Sequence, residues 1–457
     1  MRIAIELTKY LMLIIVGAYT YHAFRALGKG NKKTLKKSFR MMTLFLFIFH
    51  FTGYFTMYLQ LQSDKLLLLY GGQVVMFILV LGFYKIIYPG ISGLLLRNML
   101  MLLSIGYIIL TRLSFDKALR QFIISGIALG LGLLIPMLIQ RFKRIRNYGW
   151  IYGIIGIVFL VLVLLIGTEK YGATSWLTVF GLFTIQPIEF VKLLFVFCIA
   201  SLFAEGTGFK RVTLVTVIAG VTILALVLQK DLGGALIFFV TYIFILYAAS
   251  GKRLYLLAGL AGGSLASWIA YRLFDHVKVR VMAWKSPFEY IDKEGYQIAQ
   301  SLFAIGTGGW FGMGLYQGLP TTIPVVDSDF IFSSIAEELG GLFAICLILI
   351  YINCFLALIN VSLKSNDNFY SLLCLGFAVM LGFQVFLSIG GVIKFIPSTG
   401  VTLPFISSGG SSIVAMILMF MIVQGIHNEG NTINIGKADT SIADEASLEK
   451  NKKNEKN

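Results

Sequence analysis

The chain has 457 residues, of which 58% are hydrophobic and only 13% are charged. Soluble domains have about 45–50% apolar and about 25% charged residues, so a soluble protein, a disordered chain and a disulfide scaffold are excluded. Apolar runs near 20 residues recur along nearly the whole sequence, which predicts one multi-pass membrane protein. Its net charge of +16 is then explained by Lys and Arg that retain loops in the cytoplasm, and we predict no nucleic-acid partner.

Residues that bind metals or nucleotides are scarce. The four cysteines lie inside apolar runs without a CxxC pair, and the four histidines are scattered along the chain. No GxxxxGK[ST] loop is present. The sequence therefore predicts neither disulfides, nor a dedicated metal site, nor hydrolysis of a nucleoside triphosphate.

Thirteen apolar runs are long enough to cross a membrane as helices. Glu6 and Lys9 shorten the apolar part of the first run. The predicted spans lie near residues 3–24, 41–60, 66–87, 91–111, 122–140, 149–167, 187–204, 212–228, 232–250, 254–274, 335–361, 370–392 and 406–426.

Two basic loops predict the orientation. Residues 25–40 carry seven basic residues and no acid, and residues 141–146 carry four basic residues. Both loops should be cytoplasmic, and counting helices from either one gives the same topology. We predict an external N-terminus and a cytoplasmic C-terminus.

Two stretches are predicted to lie outside the membrane. Residues 275–328, with Gly, Pro and charges, are predicted to form a long external loop, and residues 428–457 a disordered cytoplasmic tail. Tyr88-Pro89-Gly90 marks a predicted boundary near residue 90. We predict an N-terminal transmembrane module at 1–90 and a membrane core at 91–427.

Charged residues at membrane depth cost roughly 2.5–3.5 kcal/mol each, so each needs a partner or a role. Glu189 and Lys192 are spaced i, i+3 on one predicted helix face, where they could neutralise each other or serve function. Asp231 and Asp329 each precede an apolar run, as helix-capping acids do. Lys394 lies in the last predicted external loop.

The predicted topology changes this interpretation, because all five residues fall at external helix ends or in external links. Helix caps and ion pairs that formed independently of one another would not all have to lie on the same side of the membrane. The pattern predicts a polar cavity that opens to the outer leaflet. Such a cavity suits either transport of a lipid-linked substrate or chemistry on it.

Glycine-rich elements add less. The segment 306–314 is too irregular for a dinucleotide-binding motif and follows no predicted strand, so we interpret it as a flexible re-entrant loop. Small residues at 407–412 precede or begin the last helix, where they permit close helix packing.

Five segments together resemble the SEDS family (shape, elongation, division and sporulation), the RodA, FtsW and SpoVE group of bacterial membrane proteins. The resemblance covers residues 98–427 and follows the family's order. The segments are Gln186-Pro187-Ile188-Glu189 through Lys192, Asp231-Leu232-Gly233, Gly295-Tyr296-Gln297, Asp329-Phe330-Ile331-Phe332 through Glu337-Glu338-Leu339-Gly340, and Pro397-Ser398-Thr399-Gly400 through Gly409-Gly410-Ser411-Ser412.

The resemblance implies an all-α polytopic membrane protein with a ten-helix core, to which this chain adds about three N-terminal helices. It implies a peptidoglycan glycosyltransferase in the bacterial cytoplasmic membrane. This enzyme polymerises lipid II at the outer face during elongation, division or sporulation, beside a class B penicillin-binding protein that crosslinks the strands. One departure is Asp327, which places a second carboxylate two residues from Asp329.

Carried over residue by residue, the resemblance implies that Asp329 is the catalytic base. Glu189, Lys192, Asp231, Gln297 and Lys394 would surround the substrate. The lipid pyrophosphate is an activated leaving group, so no nucleotide is needed. A divalent cation could serve the pyrophosphate, although the sequence contains no dedicated cage for one. The alternative function is a lipid II flippase, for which the same charges would bind cargo.

Overall fold

Helices account for most of the structure, a computed structural model that describes residues 2–28, 31–170, 173–179 and 183–430. The helices are α1 Arg2–Leu27, α2 Lys32–Leu61, α3 Asp64–Ile87, α4 Gly93–Leu113, α5 Phe115–Gly132, α6 Leu134–Arg141, α7 Gly149–Ile166, α8 Ile188–Ala204, α9 Phe209–Leu228, α10 Leu232–Ser250, α11 Arg253–Leu273, α12 Asp275–Lys285, α13 Tyr296–Gly308, α14 Ile331–Leu339, α15 Gly341–Lys364, α16 Asn368–Val392 and α17 Gly410–Gly430.

Twelve spans in the described residues are long and apolar enough to cross a membrane, with α5 and α6 together forming one of them. The 17-residue α8 is also apolar and is buried between α7, α10 and α16. It brings the count to the thirteen helices that the hydropathy predicts. The predicted all-α polytopic membrane fold is confirmed.

Some predicted boundaries are wrong. The stretch 335–361 is not one helix, because Gly340 adopts φ +90° and separates α14 from α15. Residues 32–40 belong to α2 rather than to a loop, since Lys and Arg are good helix formers and Asn31 accepts a hydrogen bond from the Lys33 amide. The predicted external loop 275–328 contains α12 and α13. Most of the predicted disordered tail, residues 431–457, lies outside the described residues, while α17 includes 428–430.

A small antiparallel sheet between α7 and α8 was not predicted. Its strands are β1 Thr168–Lys170, β2 Ala173–Val179 and β3 Phe183–Ile185, in the order β1-β2-β3. Thr168 pairs with Trp176, and Leu177 pairs with Ile185. The segment is rich in β-branched and aromatic residues, as strands are, but it is too short and too polar to have been interpreted as a membrane span.

The three N-terminal helices pack directly against the core. Helix α1 contacts α15, α2 contacts α4, and α3 contacts α5. Because lipid tails are as apolar as side chains, membrane helices associate through close packing and polar contacts. Here the Tyr19 hydroxyl donates to Asn98 at 3.1 Å, and the Asn98 amide donates to Asn353 at 2.7 Å, with all three residues buried. This network joins α1, α4 and α15.

The two ends of the bundle carry different surfaces. A cleft of about 1120 Å³ at one end is lined by Lys143, Arg146 and Lys364, together with the ends of α8 and α17. A smaller cavity lies at the opposite end, where α8, α10 and α17 begin. The strongly basic segment 141–146 is therefore separated from the smaller cavity by the length of the helices.

Candidate active site

A cavity of about 290 Å³ brings together residues from segments that are far apart in the sequence. Its wall is formed by the sheet, the link before α10, helices α12 and α13, the turn before α14 and the segment before α17. The lining residues include Trp176, Gln186, Lys230, Asp231, Arg280, Glu294, Gln297, Ser328, Asp329, Ser398, Thr399, Gly400, Ser408 and Ser411. Both signs of charge are therefore present in one concave site.

Asp329 lies at the cavity wall in a turn that is anchored to the start of α17. The Ser408 amide donates to the Asp327 carbonyl at 2.7 Å, and the Ser407 hydroxyl donates to the Ser328 carbonyl at 2.5 Å. Burial raises the pKa of Asp329 to about 6, although its own backbone amide and the charge of Arg280 act in the opposite direction. At neutral pH this carboxylate is ionised and able to accept a proton.

Asp231 both caps a helix and lines the cavity. Its Oδ1 accepts a hydrogen bond from the Gly234 amide at 2.8 Å at the start of α10, so the capping interpretation is correct. Burial raises its pKa, while the Gly234 amide and the charges of Lys192 and Arg280 lower it. The carboxylate is thus held in place by the helix and remains part of the polar wall.

Glu189 and Lys192 form a buried ion pair rather than part of the cavity wall. Their charged groups are 2.8 Å apart, and the side chains are only 8% and 3% exposed. Lys192 also donates to Gln384 at 2.9 Å, and Gln384 donates to the Thr402 carbonyl at 3.1 Å. The pair supports the segment 398–402 that lines the cavity.

Gln297 and Lys394 differ in their positions relative to the cavity. Gln297 lines the cavity, and its side-chain amide donates to the Pro324 carbonyl at 2.8 Å, which steadies the chain that leads to Asp329. Lys394 does not line the cavity in the described structure. It adopts φ +60°, and its carbonyl accepts a hydrogen bond from the Trp284 indole at 3.0 Å. Of the five charged residues predicted to converge, Asp231 and Asp329 line the cavity, whereas Glu189, Lys192 and Lys394 do not. Gln297, which the family resemblance placed near the substrate, also lines it.

Arg280, on α12, is a charged residue of the site that was not predicted. It lines the cavity and donates to the Ser398 carbonyl at 3.5 Å. Burial lowers its pKa, and the charges of Asp231 and Asp329 raise it. Nothing in the sequence distinguishes Arg280 from other basic residues of 275–328, because its role depends on how α12 folds back over the bundle.

Asp327 is held away from the cavity by an ion pair. Lys117 on α5 approaches its carboxylate at 2.9 Å, with the two side chains 51% and 15% exposed. The negative charge of Asp327 contributes to the raised pKa of Asp329, but burial of Asp329 is the larger cause. Lys117 thereby links α5 to the turn that carries Asp329.

Glu337 and Glu338 hold the glycine-rich segment against α14. The Glu338 Oε1 accepts from Arg112 at 2.8 Å and from the Tyr316 amide at 3.1 Å, while the Glu337 Oε1 accepts from the Leu319 amide at 3.0 Å. Met313 and Gly314 amides also donate to α14 carbonyls. The segment predicted to be a flexible re-entrant loop is therefore hydrogen-bonded to the core.

Acidic, histidine and cysteine residues are dispersed in the described ranges, with no group of three or more that could hold a metal ion. The cations among the cavity-lining residues are Lys230 and Arg280. The cavity wall therefore carries three carboxylates, Asp231, Glu294 and Asp329, and two cations. These are the groups required for a displacement that releases an anionic leaving group.

Sequence comparisons identify related proteins along most of the chain. A family model described as cell cycle protein, FtsW/RodA/SpoVE, matches residues 88–432. The peptidoglycan glycosyltransferase RodA of Mycobacterium tuberculosis is 31% identical over 367 residues, covering 74% of this chain and 78% of that protein. A probable peptidoglycan glycosyltransferase FtsW of Aliivibrio salmonicida is 32% identical, covering 74% and 87%. Stage V sporulation protein E of Bacillus subtilis is 33% identical, covering 67% and 85%.

Two solved structures superpose on most of this chain. A chain from a study of "structural coordination of polymerization and crosslinking by a peptidoglycan synthase complex" superposes with a TM-score of 0.62 at 28% identity, covering 74% of this chain and 97% of that chain. The rod shape determining protein RodA of Thermus thermophilus superposes with a TM-score of 0.54 at 27% identity, covering 74% and 96%.

Proposed function

We propose that this chain, which belongs to the FtsW/RodA/SpoVE family, is a peptidoglycan glycosyltransferase that polymerises lipid II into glycan strands. The family relation confirms the resemblance drawn from the five sequence segments. RodA and FtsW relatives are named for this activity, so the chain is a glycosyltransferase, as the motifs predict. The observation that carries the residue-level proposal is the position of Asp329 in the wall of a cavity that also holds Arg280.

Asp329 is proposed as the general base. The C4 hydroxyl of one sugar attacks the anomeric carbon of the chain that carries the lipid pyrophosphate. A new C–O bond forms, the bond to the pyrophosphate oxygen breaks, and the hydroxyl proton passes to Asp329. With a pKa of about 6, this carboxylate is ionised at neutral pH and can accept a proton. The pKa is also near the working pH, which favours efficient proton transfer.

The cations would bind the departing pyrophosphate. Arg280 and Lys230 line the cavity with Asp329, and an arginine can contact phosphate oxygens through two parallel N–H groups. Charge that develops on the leaving group is stabilised most by donors already in position. Glu189 and Lys192 are proposed to act indirectly, by fixing the segment 398–402 in the cavity wall.

We further propose that the cavity faces outward and that the C-terminus is cytoplasmic. The chain is a multi-pass membrane protein, and the basic residues of 141–146 are at the opposite end of the bundle from the cavity. Cytoplasmic loops carry such an excess of Lys and Arg. The three N-terminal helices, up to about residue 90, are proposed as a module added to a ten-helix core, because the family match begins at residue 88.

A class B penicillin-binding protein is the proposed partner. A structural neighbour comes from a peptidoglycan synthase complex in which polymerization and crosslinking are coordinated. A polymerase of this kind produces glycan strands that only a transpeptidase can crosslink. Copurification of the chain from its native membrane, followed by identification of the bound transpeptidase, tests this part of the proposal.

The central experiment is polymerisation of labelled lipid II by purified protein in vesicles, with Asp329→Asn as the variant and Asp292→Asn, an exposed carboxylate, as the matched control. We expect a glycan ladder from wild type and control, and none from folded Asp329→Asn. A ladder from that variant would overturn the role of Asp329. Movement of lipid II across the vesicle without polymer from wild type would instead support the flippase alternative.

A further inference from the structure

Helix α1 reaches the glycine-rich segment that packs behind the candidate active site. We propose that α1 holds the segment 309–319, and through it α14, in the position that catalysis requires, with Lys9 as the positioning residue. This inference rests on the proposed glycosyltransferase function. It assigns to the N-terminal helices a role inside the enzyme, as a support for the active site.

The contact is made by the first turns of α1. The Lys9 ammonium donates to the Gly312 carbonyl at 3.1 Å and lies 2.8 Å from the Glu6 carboxylate. The Lys9 side chain is only 11% exposed, so little water competes for its hydrogen bonds. Beside it, the rings of Tyr10 and Phe311 are in contact, with centroids 5.7 Å apart. Lys9 therefore binds backbone of the glycine-rich segment with a charge-assisted hydrogen bond.

The segment in turn is joined to α14 at backbone level. The Met313 amide donates to the Glu337 carbonyl at 2.9 Å, and the Gly314 amide donates to the Glu338 carbonyl at 2.8 Å. Helix α14 begins at Ile331, two residues after Asp329. A shift of the segment would therefore be transmitted along one short, fully buried helix to the proposed base.

Helix α2 supports the same region from another side. The Tyr54 hydroxyl is 2.9 Å from the Thr111 hydroxyl on α4. The next residue, Arg112, pairs with Glu338 at 2.8 Å and stacks over the Tyr316 ring at 4.2 Å. Helix α1 thus contacts segment 309–319 directly. Helix α2 contacts α4 beside Arg112, the residue that joins Glu338 of α14 to Tyr316 of the segment.

The arrangement predicts a specific effect on catalysis. Misplacement of a catalytic group by about 1 Å can lower the rate by up to about a hundredfold, while binding of a substrate through other contacts is retained. In Lys9→Met we expect kcat for lipid II polymerisation to fall by roughly five- to tenfold with KM nearly unchanged. Lys9→Arg should restore most of the rate, because it can donate to the same carbonyl.

The matched control is Lys65→Met, which removes the same charge from an exposed position in the first turns of α3. We expect this variant to polymerise lipid II at the wild-type rate. A module that serves only in membrane insertion or localisation would give equal kcat values for Lys9→Met and Lys65→Met in reconstituted vesicles, and that result would overturn the proposal.

A second measurement does not depend on activity. Met313 is 37% exposed, so a Met313→Cys variant reports on the segment through its rate of labelling by a membrane-impermeant maleimide. Of the natural cysteines, three are buried and Cys346 is half-buried, which gives a low background. Labelling should accelerate at least several-fold when Lys9→Met is added, and should not change when Lys65→Met is added.

The two measurements separate the possible failures. Faster labelling with a lower kcat supports the proposal. Unchanged labelling shows that Lys9 does not hold the segment, and faster labelling with a normal kcat shows that the segment does not position the base; either result overturns it. If wild-type protein makes no polymer, the proposed function fails, while the labelling experiment still tests the contact between α1 and the segment.

Discussion

Arg280 and Asp329 share one cavity, and each alters the proton affinity of the other. The positive charge of Arg280 opposes the rise in pKa that burial causes at Asp329, and the carboxylate in turn favours the charged form of the buried guanidinium. The charge of Asp231 also favours the charged form of Arg280. Arg280 therefore lowers the pH at which the proposed base becomes ionised, and it is a proposed cation for the leaving group.

Arg280→Met should move the acid limb of the pH–rate profile upward. The base must be deprotonated to act, so activity falls as the pH drops through the pKa of Asp329, which is about 6. Loss of the cation raises that pKa, and we expect the limb in kcat/KM to shift to higher pH by about 0.5–1 pH unit. Polymerisation assays between acidic and mildly alkaline pH test this shift, with the exposed Lys285→Met as the control on the same helix. A lower rate with an unshifted limb would contradict the electrostatic coupling.

Asp327→Asn should move the same limb in the opposite direction. The Asp327 charge raises the pKa of Asp329, although it is the smallest of the contributions. Its removal lowers the pKa, so the variant should keep its activity to slightly lower pH than wild type. The backbone contact between the Asp327 carbonyl and the Ser408 amide is retained, which keeps the turn in place. Measurement of the two pH profiles in parallel tests the sign, and an upward shift would contradict the effect of the Asp327 charge on the pKa of Asp329.

Sequence patterns predicted the helices well because run length and hydropathy directly reflect the thickness of the bilayer. They did not predict the break at Gly340, since apolar residues continue on both sides of it. The break depends on a positive φ and on the close approach of Gly312, which are consequences of tertiary packing.

The candidate site was predicted only in part. Asp231, Gln297 and Asp329 belong to segments with a recognisable order of residues, and the fold places all three in one cavity. Arg280 has no such context, and only the position of α12 brings it to the two carboxylates. Lys394 does not line the cavity, and a left-handed backbone turn sets its carbonyl into a contact with Trp284.

Removal of one partner of the buried Glu189–Lys192 pair should destabilise the protein. Lys192→Met leaves a carboxylate that is 8% exposed without its cation, and the loss of one partner of such a pair costs about 3–5 kcal/mol. The double variant Glu189→Gln, Lys192→Met should recover much of this loss, because no unpaired charge remains. Thermal unfolding of the detergent-solubilised proteins tests both expectations. A double variant that is as unstable as Lys192→Met would indicate that the contact with Gln384 matters more than the ion pair.

Gly340→Ala should disrupt the junction between α14 and α15. Gly340 has φ +90°, and a Cβ at this position would lie 2.4 Å from the Gly312 amide nitrogen. Left-handed backbone alone disfavours alanine by about 1 kcal/mol, and the clash with backbone atoms cannot be relieved by a side-chain rotation. We expect a lower yield of folded protein, a lower unfolding temperature and faster maleimide labelling of Met313→Cys. Gly262→Ala on α11 is the matched control, because it has no atom within 4 Å of the added Cβ and no positive φ. Equal stability of the two variants would show that segment 309–319 can move away from α14 at little cost, which is contrary to the rigid junction that the hydrogen bonds of Glu337 and Glu338 imply.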